Sequence, residues 1–467
     1  DTNNGFRVTK ALLVTGPVAV TRPSALESGE SLAVASPERR FPFLTKAARA
    51  TGELKLDDFA LTNASAAAAI DDLVSLTVTN DADTGDTSLE LVRKPVVVQQ
   101  KGTGQTDPSP FATAGFWSDA QVPHADAVYS SNGKSIRTAM ATDADTFAGD
   151  ALVLDSTLVL QSKVVNVPAL CCRGQASIQN WHPNGDTTTN AFAVGGTKAL
   201  KGRRLVLMDD TAVTLNGDGS LVRIDSPIEG AGQLLAKAND GNRSAYLELA
   251  GDNAKWTGCV GATVELGAKR AAYSYTNTCE ILFREPCHLG GPLAAFNPTA
   301  VFLQKKAVLH PLETMTWDEP TRGLEIRNFG GGIRTDKGVV FTVKNPIRLV
   351  GTLGKVGEGT LVLGGTISAD GNASPAIEVL EGGLRTCAKE IVDGLTLAFG
   401  ARGAIEAEVA ATGDAATYGL YNVKTDTPFV LTAAPGGRVP VRVALPADYY
   451  ATAPHHVTAT ICTVSAA

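Results

Sequence analysis

Apolar and polar residues alternate over short stretches through most of this chain, and glycine or an Asp/Asn/Thr cluster breaks the alternation every few residues. The clearest case is Val356-Gly357-Glu358-Gly359-Thr360-Leu361-Val362-Leu363-Gly364-Gly365, where two glycines bracket a turn, a brief alternating strand follows and two glycines end it. Ile228-Glu229-Gly230-Ala231-Gly232-Gln233-Leu234-Leu235-Ala236 has the same phrasing, and the stretch from Leu247 to Gly258 continues it. Further strands are expected at Arg204–Leu207, Ala212–Leu215, Leu221–Ile224, Ala262–Leu266, Leu324–Arg327, Val339–Val343, Ile347–Leu349, Ile377–Leu380 and Leu395–Phe399. Each is too short to bury a core alone, so the pattern predicts stacked rungs whose inward side chains cover one another. The spacing between strands is irregular, which favours a β-helix with loop insertions over the equal blades of a propeller.

The same reading divides the chain. Residues 1–100 carry period-2 strands such as Leu73–Val78 and Leu89–Val92, joined by the turn from Asn80 to Asp86, and form a β-rich N-terminal unit suited to capping or assembly. A short helix is expected at Ala66–Ile70. Residues 101–146 begin with a Gly/Thr/Asp/Pro linker to Pro110 and include a strand pair around the Asn132-Gly133 turn. Residues 147–410 form the β-helix, and 411–467 a C-terminal β cap over its open last rung.

Composition narrows the class. The 467 residues include 47 glycines, only 6% are aromatic, and the net charge is −7 with basic residues scattered, so no nucleic-acid partner is expected. No apolar run is long enough for a transmembrane segment. The chain starts at Asp1, as the mature product of a processed precursor would. Its seven cysteines fit no zinc or iron–sulfur spacing. They are read either as one or two disulfides, Cys259 with Cys279 or Cys287, or as small core residues, with the adjacent Cys171 and Cys172 facing opposite ways.

The phrases at 228–267 and 357–365 resemble the glycine-rich β-strand repeats in passenger regions of autotransporters and related bacterial surface proteins, and Phe147–Leu154 resembles a phrase that precedes them. The resemblance covers 147–400. It implies an all-β fold, a right-handed parallel β-helix (solenoid), secreted or exposed at the cell surface. The C-terminal part lacks the run of amphipathic strands of an outer-membrane barrel, so a translocator would have been cleaved away or another export route used. The family holds adhesins, proteases and structural proteins, so function stays open.

Candidate chemistry is sparse. Trp181 and His182, followed by Asp186, could stack and hydrogen-bond a sugar, and Trp317 with Asp318-Glu319-Pro320 forms a turn suited to sugar or calcium. Trp117 and Trp256 complete the tryptophans, the latter expected between rungs. Asp209, Asp210, Asp218 and Asp225 read as turn residues or a weak calcium site, and Arg203-Arg204 beside Asp209-Asp210 imitates a lyase arrangement. His288, His310 and His455-His456 read as structural or surface residues, and no nucleophile elbow is present. The expectation is therefore a non-catalytic extracellular structural or adhesive protein that assembles with itself. Its partners would be a glycan or cell surface, with no cofactor beyond calcium. A carbohydrate-active β-helix enzyme and a glycan-binding protein are the alternatives.

Overall fold

A computed structural model describes residues 98–408 with short gaps, chiefly 102–109, 181–188, 195–203, 267–271 and 387–391, and strand or turn segments of 1–97 and 409–467. The fold is a parallel β-solenoid. The chain divides into two compact units, residues 1–178 with 192–211 and 226–232, and residues 179–191 with 212–225 and 233–467.

In the first unit each turn of chain contributes a strand to each of three stacks. Val128–Ser130, Ala151–Leu154, Ala169–Cys172, Arg204–Leu207 and Ile228–Gly230 pair in parallel as one stack. Ile136–Arg137 pairs with Thr157–Leu160, and Ala144–Thr146 with Val164–Val167. Alternation now has a physical meaning: Leu158, Leu160, Val165 and Val167 point inward and are fully buried, while their neighbours face out. Phe111, Trp117, Tyr129 and Phe147 form a buried aromatic cluster with ring centroids 4.9–6.3 Å apart. Farther toward the N-terminus, Val74–Asn80 and Thr87–Arg93 pair antiparallel across the predicted turn.

In the second unit Leu234–Ala238, Val260–Val264, Asn297–Leu303, Arg322–Ile326, Ile347–Leu349 and Ile367–Ser368 make one parallel stack. A second stack runs from Leu221–Ile224 through Ala245–Leu249, Cys279–Phe283, Ala307–Pro311, Gly331–Arg334 and Leu353–Val356 to Ala376–Thr386. Met315–Trp317, Val340–Val343 and Thr360–Leu363 form the third. The long strand Ala376–Thr386 turns the corner, pairing with the second stack through Ile377–Val379 and with the third through Gly383–Thr386. Val430–Ala433 and Val441–Ala444 pair in parallel with Thr396–Glu408, so rung stacking continues past residue 410.

The paired glycines do the same work in both phrases. Gly230 and Gly357 have φ of 102° and 79°, which a side chain disfavours. A Cβ on Gly232 would lie 2.3 Å from the Asp209 carbonyl oxygen, and one on Gly359 2.2 Å from that of Asp336. The first glycine turns the chain, and the second lets it settle against the previous rung.

Before Met315, two turns cross the third position without a strand, through the loop from Ala250 to Cys259 and through the 3-10 turn Pro286–Leu289. A buried arginine ties them down. Arg322 is 0% exposed, and its Nε, Nη1 and Nη2 donate to the carbonyls of Gly291, Gly258 and Trp256 at 2.5, 2.9 and 2.6 Å. Charge-assisted bonds to three carbonyls replace the missing ladder. Lys355 is treated alike: fully buried, it donates to the carbonyls of Val356, Gly357 and Glu381 at 2.9, 2.6 and 3.0 Å.

Two expectations change. The strands flanking Asn132-Gly133 do not pair with each other, because each joins the neighbouring rung in parallel. Both turn residues are left-handed, with φ of 51° and 70°, but they make a solenoid corner instead of a hairpin. The proposed disulfides are also absent: no disulfide joins Cys259 to Cys279 or Cys287, which lie before Val260–Val264, on Cys279–Phe283 and in the turn Pro286–Leu289. Cys259 instead accepts a hydrogen bond from Asn297 Nδ2 at 3.3 Å. The helix expected at Ala66–Ile70 and most of the linker, 102–109, lie outside the described residues.

Candidate functional site

Several described charges pair between turns. Arg348 meets Glu325 at 3.2 Å, Arg385 meets Glu406 at 2.9 Å, Lys344 meets Asp318 at 2.9 Å and Arg204 meets Glu229 at 3.2 Å. The lyase-like reading of Arg204 therefore gives way to an ion pair with Glu229, while Asp209 accepts the Gly174 N–H at 2.7 Å. Asp225 pairs with Arg223 at 2.6 Å, and Glu319 accepts from Thr321 beside it. These carboxylates cap turns and link rungs.

The densest polar cluster lies on the second stack of the second unit. His310 Nδ1 is 2.9 Å from Glu280 Oε2, and Nε2 is 3.2 Å from Asp336 Oδ2. Arg334 Nε donates to the same Glu280 oxygen at 3.2 Å. Glu280 is 2% exposed and held from two sides, and both imidazole nitrogens are engaged, so the cluster is knitted across strands and offers no free base or nucleophile. Beside it Tyr275 lies over the outer face of the sheet. A Cβ on Gly354 would fall 2.3 Å from its ring and one on Gly332 2.8 Å, so these glycines leave the slot it fills. Val308 and Val356 flank it, Lys306 Nζ stands 4.5 Å from the ring centroid, and Arg334 Nη2 donates to its carbonyl at 3.1 Å.

A groove of about 460 Å³ opens elsewhere in this unit, lined by Phe296, Pro298, Pro320, Pro346, Arg348 and Ser368. Phe296 is 51% exposed at its rim. An exposed ring with hydroxyl and guanidinium groups nearby can hold a polar ligand by stacking and hydrogen bonding, but the groove contains no carboxylate pair for hydrolysis.

No protein-family model, curated protein or solved structure matches this chain. Function has to be argued from its own residues. Among the described residues, one group has metal-ligating composition: Glu285, Cys287 and His288 bring one ligand atom each to within 4.8 Å of one another. A carboxylate, thiol and imidazole are donors for a transition metal; they do not make the all-oxygen shell calcium takes.

The residues singled out from sequence fall as follows. Trp317 is 0% exposed, packed within its rung, and has no ring face for a sugar; Trp117 and Trp256 are buried too. Trp181, His182 and Asp186, with His455 and His456, lie outside the described residues. His288 and His310 were expected to be structural; His310 sits in the polar cluster, and His288 joins the triad. Glu285 was missed, although Glu285-Pro286-Cys287-His288 places three donor types on one tight turn. No helix among the described residues is long and apolar enough to cross a membrane.

The thiols should differ in reactivity. Burial pushes the Cys172 thiol up to about 12, against a weaker opposing hydrogen bond from Thr211. Cys171, Cys172 and Cys279 are buried, whereas Cys259 and Cys287 are partly open. Brief alkylation of the native protein at pH 8, mapped by peptide mass spectrometry, is expected to label Cys259 and Cys287 and to spare the other three until denaturant is added. Labelling of Cys172 at the same rate as Cys259 would contradict this order.

Proposed function

We propose that the protein is a non-catalytic structural or adhesive solenoid of an extracellular surface, related in design to autotransporter passenger repeats and able to assemble with its own copies. The observation that supports this most is the use of its charges: ion pairs such as Arg204 with Glu229, Lys344 with Asp318, Arg348 with Glu325 and Arg385 with Glu406 bridge successive turns. Each such pair contributes little alone, but together they make a body whose surface chemistry serves cohesion. Residues 1–100 and 411–467 are the assembly surfaces of this reading, since parallel stacking can continue from one copy to the next. Export would place the Cys287 thiol, which is in no disulfide, in an oxidising setting, so it has to be shielded.

Light scattering and electron microscopy of the purified chain, with and without calcium, test the proposal. Ordered filaments or layers are expected. Discrete monomers that cleave a polysaccharide in a substrate screen would overturn it. The Phe296 groove favours a second reading, glycan binding without turnover. There, monomers would retain a glycan on an array, and Phe296→Ala or Trp181→Ala would abolish retention.

A further inference from the structure

The turn that follows Cys279–Phe283 is built more firmly than a surface loop requires. Its carbonyls are taken in sequence: Glu285 O accepts the His288 N–H at 3.1 Å, and Cys287 O accepts the Gly290 N–H at 3.0 Å. The buried side chain of Asn253 donates to His288 O at 2.7 Å, and Arg322 donates to Gly291 O at 2.5 Å. Gly290, at φ 104°, sits so close to the Arg322 guanidinium that a Cβ would lie 2.5 Å from it. Backbone on both sides of Cys287 and His288 is thereby fixed by groups buried in earlier and later turns, which is the support that orients ligands in a metal site.

We propose that Glu285, Cys287 and His288 bind one zinc-class divalent transition-metal ion, leaving a fourth position to water or to a ligand from outside the chain. The donors suit that class: tetrahedral zinc takes thiolate at about 2.3 Å and imidazole or carboxylate at about 2.0–2.2 Å. Ligand atoms already within 4.8 Å of one another need only a small contraction to reach it. Cys287 Sγ stands 3.7 Å from Glu285 Oε2, close to the edge of such a shell. His288 is buried, Cys287 half-buried and Glu285 exposed, so the site is anchored at the imidazole and opens toward solvent at the carboxylate. A bound cation takes the thiolate, and the thiol proton is released to solvent. Arg284 directs its guanidinium into pairs with Glu248 at 3.4 Å and Glu313 at 3.1 Å, while its backbone N–H donates to His288 Nδ1 at 3.3 Å, a long bond that coordination through that nitrogen would replace. A metal on Cys287 also supplies the shielding that an unpaired thiol at a cell surface needs.

The test is a cobalt titration of the full-length reduced chain, followed by absorbance. One equivalent is expected to produce a thiolate-to-cobalt charge-transfer band that zinc displaces and excess calcium does not. Cys287→Ser should abolish the band, and His288→Gln should weaken binding at least about 10-fold, since loss of even an outer-shell partner costs that much. Absence of the band, its survival in Cys287→Ser, or its displacement by calcium would overturn the proposal. Should Cys287→Ser fail to fold by circular dichroism, the unaltered chain decides: zinc is expected to slow alkylation of Cys287 severalfold while leaving Cys259 unchanged. Equal rates with and without zinc would refute the site. None of these readouts depends on whether the chain assembles.

Discussion

Arg322→Met unfolds the protein at markedly lower urea, with a loss of about 3 kcal/mol or more. The substitution keeps length and apolar stem but removes the donors to Gly291, Gly258 and Trp256. The Gly291 and Gly258 carbonyls then lose this donor while the Trp256 carbonyl keeps the Gly291 N–H at 3.1 Å, and each orphaned buried acceptor costs about 1–3 kcal/mol. Burial draws the guanidinium down to about 10 from its ordinary value, which still leaves it cationic at neutral pH. Lysine does not rescue it, because one ammonium cannot reproduce a planar fork aimed at three separate oxygens. Arg402→Met is the control: Arg402 is 74% exposed and meets Glu381 at 2.7 Å, so its loss should change stability by less than about 1 kcal/mol. Equal midpoints for the two variants in equilibrium unfolding would show that the clasp contributes nothing.

Gly359→Val is the second large effect, a loss of about 3 kcal/mol. The new Cβ would lie 2.2 Å from the Asp336 carbonyl oxygen and 2.4 Å from that of Val339. Both are backbone atoms, so neither can swing aside as a side chain would. The rung must lift, and Thr360–Leu363 then separates from Val340–Val343 and from the corner strand. Gly371→Val, at an open turn where a Cβ meets nothing within 4 Å but φ is 73°, isolates the cost of backbone strain alone. Calorimetric melting should rank Gly359→Val well below Gly371→Val, and the reverse order would refute the close-approach account.

These two positions also mark what can be read from a sequence of this kind. Arg204–Leu207, Leu221–Ile224 and Ile347–Leu349 were placed residue for residue, because short apolar-rich runs bounded by polar or glycine breaks mark where strands start and stop. The paired glycines signalled rungs because close stacking of backbone leaves no room for anything larger. Arg322 gave no such signal. It opens a strand among ordinary charged residues, and its role comes from loops separated from it by 66 and 31 residues that only the folded chain brings near. The proposed metal triad was legible in principle, since its three donors share one turn. Its single cysteine shows none of the paired-cysteine spacing that marks a metal site, and Glu285 has no feature to mark it apart from its neighbours. Asn132-Gly133 misled for a different reason: a two-residue left-handed turn reverses a hairpin and bends a solenoid corner equally well, and only partners far along the chain decide between them.

Tyr275 touches more of the solenoid than one rung can. Its hydroxyl donates to Gly331 O at 3.1 Å, and its ring lies against Gly332 and Gly354, with Val308 and Val356 at its sides. Those residues belong to three successive strands, Ala307–Pro311, Gly331–Arg334 and Leu353–Val356. A repeating body in which each layer touches only the next unravels from its ends like a zipper. One aromatic splint across three layers forbids that locally, because no single layer can open without releasing the splint from all of them. Amide hydrogens of these three strands should therefore exchange with solvent as one block, at one common rate, while flanking layers exchange singly and sooner.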